Sequence, residues 1–193
     1  MSLLRFIAWL TSFILIGAPV AAIVFFVLAV TGSPGSCESA ERPITPAQDQ
    51  AVSFDLKWGQ LNSSLDAGQP STTTFTDTEV TSRARAWVEQ TDADVQDLYV
   101  CFTVDGGAAS AKIDVPFLPG DVDVLARGTL VLTGEHPVAE IDDIDIGGLP
   151  GPMTDFAESF VNNLIEDQME KIVLTHDFGL AFEEGQATIS GQP

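Results

Sequence analysis

Few side chains in this chain could do covalent or metal chemistry. They are His136 and His176, Cys37 and Cys101, and two aspartate sets, Asp121/Asp123 and Asp142/Asp143/Asp145. Acyl transfer needs a serine or cysteine presented on a strained turn, with a histidine to take its proton. No GxSxG, HExxH, SxxK or Walker sequence occurs. His136 follows Glu135 in a turn sequence, and His176 shares parity with the apolar positions around it, so both read as structural rings. Asp143-x-Asp145 has two calcium-loop positions but no glutamate at the twelfth. The aspartates therefore read as solvated strand faces. The expectation is a protein that is not an enzyme and holds no metal or cofactor.

The cysteines are two, far apart, without a CxxC pair. Two such cysteines make a poor metal site, and an even count outside the cytoplasm predicts a Cys37–Cys101 disulfide. Closing that loop is worth about 4 kcal/mol on the chain-entropy model. Ser33-Pro34-Gly35-Ser36 before Cys37 lacks the aliphatic residue of a lipoprotein processing site. Asn62-Ser63-Ser64 matches a glycosylation acceptor, a pattern too common to weigh.

The formal net charge is −20, from 8 basic and 28 acidic residues. Arg5 is the one charged side chain before Thr31, so the rest of the chain is one unit more negative still. Such a domain repels nucleic acid and anionic headgroups, and none is expected as a partner. Phe6 to Val30 contains no charged residue, a run long enough to span a bilayer. Arg5 on its N-terminal side places that end in the cytoplasm and the remainder outside. Residues 1–30 are thus read as cytoplasmic start and transmembrane anchor, 31–50 as an extracytoplasmic linker rich in Gly, Ser and Pro, and 51–193 as one domain. The rival is a signal peptide cleaved near Val30-Thr31-Gly32, which would release the domain.

Within the domain, Phe54, Trp58, Leu61 and Leu65 fall at helical spacing, although Val52 to Trp58 also alternates as a strand would. Ser71–Phe75 reads as extended. Thr76 and Glu79 form a capping box that opens a second helix through Val88. Alternation then predicts strands over 98–104, 111–117 and 121–134, then 138–146, with turns at Asp105-Gly106-Gly107 and Pro119-Gly120. Gly128 in mid-strand and a parity shift at Asp142-Asp143 predict bends or bulges. Gly147 to Pro152 turns into an amphipathic helix reaching Ile172, and 174–182 and 187–190 close as a strand pair. The fold class expected is α+β: an N-terminal transmembrane helix, then a curved antiparallel sheet wrapped around a long amphipathic helix. Val124, Leu130 and Leu132 on the long strand, with Phe156, Phe160 and Leu164 on the helix, are expected to face one another and line an apolar groove.

Three features resemble the LmeA-like family of bacterial envelope proteins: Thr76–Ala84 opening a helix before the sheet, the strand meander, and Ile144–Pro152 leading into a helix before a last strand pair. The likeness covers about Ser71 to Ser190. It implies a tubular-lipid-binding-like fold and lipid binding as a class. The present chain departs by being far more acidic, and no individual ligand contact carries over. The functional expectation is a membrane-anchored module binding a lipid or other apolar ligand. The alternative is a structural or protein-interaction domain with a filled core, and a continuous cavity against a close-packed interface would separate the two.

Overall fold

The computed structural model describes residues 36–38, 42–91, 95–114, 121–147 and 151–193. The apolar run 6–30, the first linker residues, Val115 and Phe117, the Pro119-Gly120 turn and residues 148–150 of the later turn lie outside these. Among the described residues no helix is long and apolar enough to cross a membrane. The fold is α+β, with antiparallel sheets and three helices among those residues.

The first helix, α1 (Gln48–Asp66), buries the stripe its spacing implies: Leu61 and Leu65 are fully enclosed, and Phe54 and Trp58 pack beside them. Its alternative reading as a strand fails because this stripe has a partner. β1 (Ser71–Thr76) does not belong to the later meander. It pairs with β7 (Gln186–Gly191), which pairs with β6 (Phe178–Glu183), making a separate three-stranded sheet. One face, with Phe75, Ile189 and Phe178, meets α1. The other carries Thr72, Thr74, Thr188 and Ser190, where Thr74 and Thr188 share a hydroxyl hydrogen bond of 3.0 Å. The sheet is thus apolar on one side only, as antiparallel sheets often are.

α2 (Asp77–Thr91) opens on the expected capping box: Glu79 N–H donates to Thr76 Oγ1 (3.3 Å) and Thr76 N–H donates to Glu79 Oε2 (3.0 Å). The helix then covers the edge of β2 (Val95–Thr103). Asp77 Oδ1 accepts the Phe102 N–H (2.8 Å), Thr81 Oγ1 accepts the Val100 N–H (2.9 Å) and donates to Val100 O (3.1 Å), and Arg85 Nε donates to Leu98 O (2.7 Å). Four helical residues rise about 6 Å and two strand residues about 6.7 Å, so side chains four apart on α2 meet alternate residues of an antiparallel strand. Gly185 N–H completes the edge on Phe102 O (3.0 Å). An edge satisfied in this way offers no template for another strand.

β2, β3 (Gly106–Asp114), β4 (Asp121–Val131) and β5 (Val138–Ile146) form the second sheet in chain order. Arg127 faces Asp143 and Gly128 faces Ile141, leaving Asp142 as the extra residue. The parity shift in the sequence is this bulge. Gly128 is required there, because a Cβ would strike the Glu140 carbonyl. Among the described residues one isolated bridge, Leu132 to Phe178, joins the end of β4 to β6, and Phe102 of β2 meets Phe182 of β6 with ring centres 5.9 Å apart. The strand expected from Leu174 begins only at Phe178, since Leu174 N–H is used by Glu135 O (2.9 Å) and Asp177 accepts Gly134 N–H (2.7 Å). α3 (Gly151–Met169) lies against the second sheet and ends three residues short of Ile172.

Candidate functional site

α3 meets the four-stranded sheet through a second apolar cluster, distinct from the one under α1. Ala157 and Val161, 0% and 2% exposed, sit at the centre of the contact with Ile113, Val122, Val124 and Ile146. Phe160, Leu164 and Ile165 flank it, half-buried. Phe156 stands 48% exposed beside it. The spacing explains this order: Ala157, Phe160, Val161, Leu164 and Ile165 form the stripe turned to the sheet, and Phe156 lies at its margin. Within α3 Ser159 Oγ donates to Asp155 O (2.9 Å), and just past its end Lys171 Nζ donates to Gln168 Oε1 (3.0 Å). The described contacts between α3 and the sheet are apolar.

Of the six expected lining residues the structure brings together three. Val124, Phe160 and Leu164 share the α3 cluster. Leu130 and Leu132 belong to the other cluster, with Leu61, Leu65, Phe75, Phe178 and Ile189. They share a strand face with Val124, but Ala126 and Gly128 intervene, and the element covering that face changes from α3 to α1 along the way. Phe156 is exposed and is part of neither cluster. The residues that sequence reasoning left out of the lining, Ala157 and Val161 above all, are the most deeply enclosed on α3. Their small size was the available signal, since only small side chains let a helix approach a sheet closely.

The polar residues take structural positions. His176 Nε2 is 2.9 Å from Asp66 Oδ1 at the end of α1, and its ring meets Phe178 edge-on. His136 Nδ1 donates to Ile172 O (2.8 Å), joining the β4–β5 loop to the segment after α3. Asp143 is ion-paired with Arg127 on an exposed face. Among the described residues no three His, Cys, Asp or Glu side chains are grouped to hold a metal. Asn62 lies in α1, with its amide donating to Trp58 O (2.9 Å).

Two buried carboxylates lie at the start of α2, away from α3. Burial pushes the Asp77 carboxyl up, beyond what the Phe102 N–H and Arg42 can offset, and Glu184 adds to the rise. Burial acts the same way on Glu79, but hydrogen bonds from Lys57, Ser53 and Thr76 and the charge of Lys57 outweigh it, so its pKa is lowered. Lys57 Nζ lies 2.7 Å from Glu79 Oε1.

The expected disulfide is present: Cys37 and Cys101 are bonded, with Cα atoms 5.9 Å apart. Cys101 is buried on the face of β2 opposite α3.

The chain matches no known protein family and no curated protein.

Proposed function

We propose that this chain is a membrane-anchored, extracytoplasmic, non-enzymatic module that takes a lipid or other apolar ligand between the four-stranded sheet and α3. The observation that carries the reading is the attachment of α3 by apolar contact, with Phe156 exposed and Phe160, Leu164 and Ile165 half-buried along its margin. An acyl chain entering beside such a helix replaces one apolar surface by another. Each methylene removed from water contributes about 0.8 kcal/mol. The disulfide supports placement outside the cytoplasm, where such bonds persist. The uncharged run 6–30 supplies the anchor, and the resemblance to LmeA-like proteins points the same way. The acidity disfavours capture through anionic headgroups, so selection acts on the chain.

A second reading has its own observation. Ala157, Val161 and Val124 are closely enclosed where the helix crosses the sheet, which suits a structural or protein-interaction domain with a filled core. Full-length protein in vesicles containing a phospholipid with a photoactivatable acyl chain separates the two. Cross-links on peptides carrying Phe160, Leu164 or Val124 support ligand binding. Cross-links confined to 6–30 favour the filled core.

A further inference from the structure

The two sheets have four outer edges, and three of them are engaged by other parts of the chain. β2 is covered by Asp77, Thr81 and Arg85 of α2 and by Gly185. β1 gives its Thr74 carbonyl to Lys57 Nζ (2.9 Å), and its Thr76 N–H goes to Glu79 (3.0 Å). β6 donates its Phe178 N–H to Leu132 O (2.8 Å), and its Phe182 ring packs on Phe102. β5 differs. It is the last strand of its sheet, bonded to β4 on one side, and among the described residues no hydrogen bond reaches its backbone from the other.

Nine residues long, β5 spans about 30 Å. Its two faces are unlike. Ile144 and Ile146 belong to the cluster under α3. Glu140, Asp143 and Asp145 pair in register with Thr129, Arg127 and Leu125, so they point to the opposite face, where all three are exposed. Among the described residues the one ion pair along this edge is Arg127 with Asp143, which leaves the charges of Glu140, Asp145 and the bulged Asp142 uncompensated.

An open edge is a template for any extended chain that matches it, and proteins guard such edges with bulges and charge. Here the guarding charge has one sign. A second copy pairing β5 with β5 would set two acidic rows beside each other, which is unfavourable across neighbouring strands. Nor does this chain hold a matching strand of its own. Of its 8 basic residues only Arg83 and Arg85 stand two apart, and both lie in α2. The edge fits a strand whose side chains alternate apolar and basic, the apolar ones on the side of Ile144 and Ile146, the basic ones beside Glu140 and Asp145.

We propose that β5 is a docking edge for an extended segment of another protein, alternating apolar and Lys or Arg residues, which adds to the sheet as a fifth strand. Main-chain hydrogen bonds supply the attachment, and the alternation supplies the choice of partner. The net charge of −20 draws such a cationic segment in from a distance. This inference does not depend on a ligand under α3; it needs only the edge and the two faces of β5.

The test uses the full-length protein in an uncharged detergent with an eight-residue peptide that alternates lysine and valine. Three control peptides accompany it: the same composition in two blocks, the alternating sequence with every backbone nitrogen methylated, and one alternating glutamate and valine. Saturating lysine–valine peptide should slow amide hydrogen exchange across 138–146 by about fivefold or more and leave β3, in the middle of the sheet, unchanged. By fluorescence anisotropy each control should bind at least about tenfold more weakly. Glu140→Gln combined with Asp145→Asn, both at exposed positions, should weaken the lysine–valine peptide by about fivefold or more without altering exchange in the free protein. Exchange in β5 that the peptide leaves unchanged overturns the docking edge. Equal binding of the block peptide would reduce the effect to net charge, and equal binding of the methylated peptide would exclude strand addition; either overturns the proposal. Undiminished affinity in the double variant, or equal binding of the glutamate peptide, overturns the charge matching. Protection of β5 that rises with protein concentration when no peptide is present assigns the edge to a second copy and overturns it as well.

Discussion

The two apolar clusters are built by opposite means. The one under α1 is closed on three sides by α1, the three-stranded sheet and the end of β4. It contains four of the molecule's aromatic rings in mutual contact: Phe54, Trp58, Phe75 and Phe178. Polar contacts reinforce it from outside, through Lys57 to Thr74 O (2.9 Å) and to Glu79. The one under α3 has a helix on one side and a sheet on the other, small residues at its centre and half-buried apolar ones at its margin. The first is arranged to stay closed. The second has a half-buried apolar margin on its helix side, and this difference is why the proposed ligand site is set under α3.

The largest expected effect is in the first cluster. Leu61→Ala, at a position with no exposure, should lower stability by about 2–5 kcal/mol in urea denaturation. Leu164→Ala, at the half-buried margin, should lose clearly less. Equal losses would erase the distinction between the two clusters.

Glycine contacts sharpen it next. Gly128→Ala drives a methyl into the backbone of Glu140 and Ile141, which cannot yield without disturbing the bulge. Gly191→Ala meets the Leu65 side chain, with Cδ1 2.6 Å away, which can turn aside. We expect Gly128→Ala to cost about 1–3 kcal/mol and Gly191→Ala less. The reverse order would place the stiffer packing at Gly191, against Leu65 under α1.

These contrasts also mark what the sequence could tell. The α1 stripe, the capping box at Thr76 and the bulge at Asp142 were legible because each is a local pattern with a local cause. The division of the long strand between two clusters was not. Parity states which face Val124 and Leu130 share, but not which element covers each end of that face. Nor was the pairing of β1 with β7 legible, because its partners lie more than a hundred residues apart and a helix follows β1 directly. The capping of the β2 edge had a signal that went unread: Asp77, Thr81 and Arg85 recur every four residues on one side of α2.

Two tryptophan substitutions test whether the α3 wall admits a ligand. Val124 is enclosed, so Val124→Trp should overpack and destabilise by about 1–3 kcal/mol. Leu164→Trp at the margin should change stability by less than about 1 kcal/mol while reducing acyl cross-linking at α3. Intact stability with undiminished cross-linking would remove this margin as the place of entry.

The smallest effect concerns pH, and it belongs to the α1–α2 half. Glu79 has a folded pKa below its ordinary value, so its contribution is present above pH 4.5 and is lost as pH falls through the folded value. Asp77 has a folded pKa above 3.8, so its contribution runs the other way: present below 3.8 and lost as pH rises through the folded value. The two carboxylates, two residues apart, therefore oppose each other, and the intact protein should show only a shallow acid limb from this pair. Glu79→Gln should remove the acid-labile part and leave stability falling as pH rises from about 4 towards neutrality. Asp77→Asn retains an oxygen able to accept the Phe102 N–H and should leave the Glu79 limb alone, steeper than in the parent. Urea denaturation of both variants from pH 3 to 7 reads the two slopes. Parallel slopes in the two variants would mean that the carboxylates do not oppose one another, and that the charge balance at the start of α2 has been assigned the wrong sign.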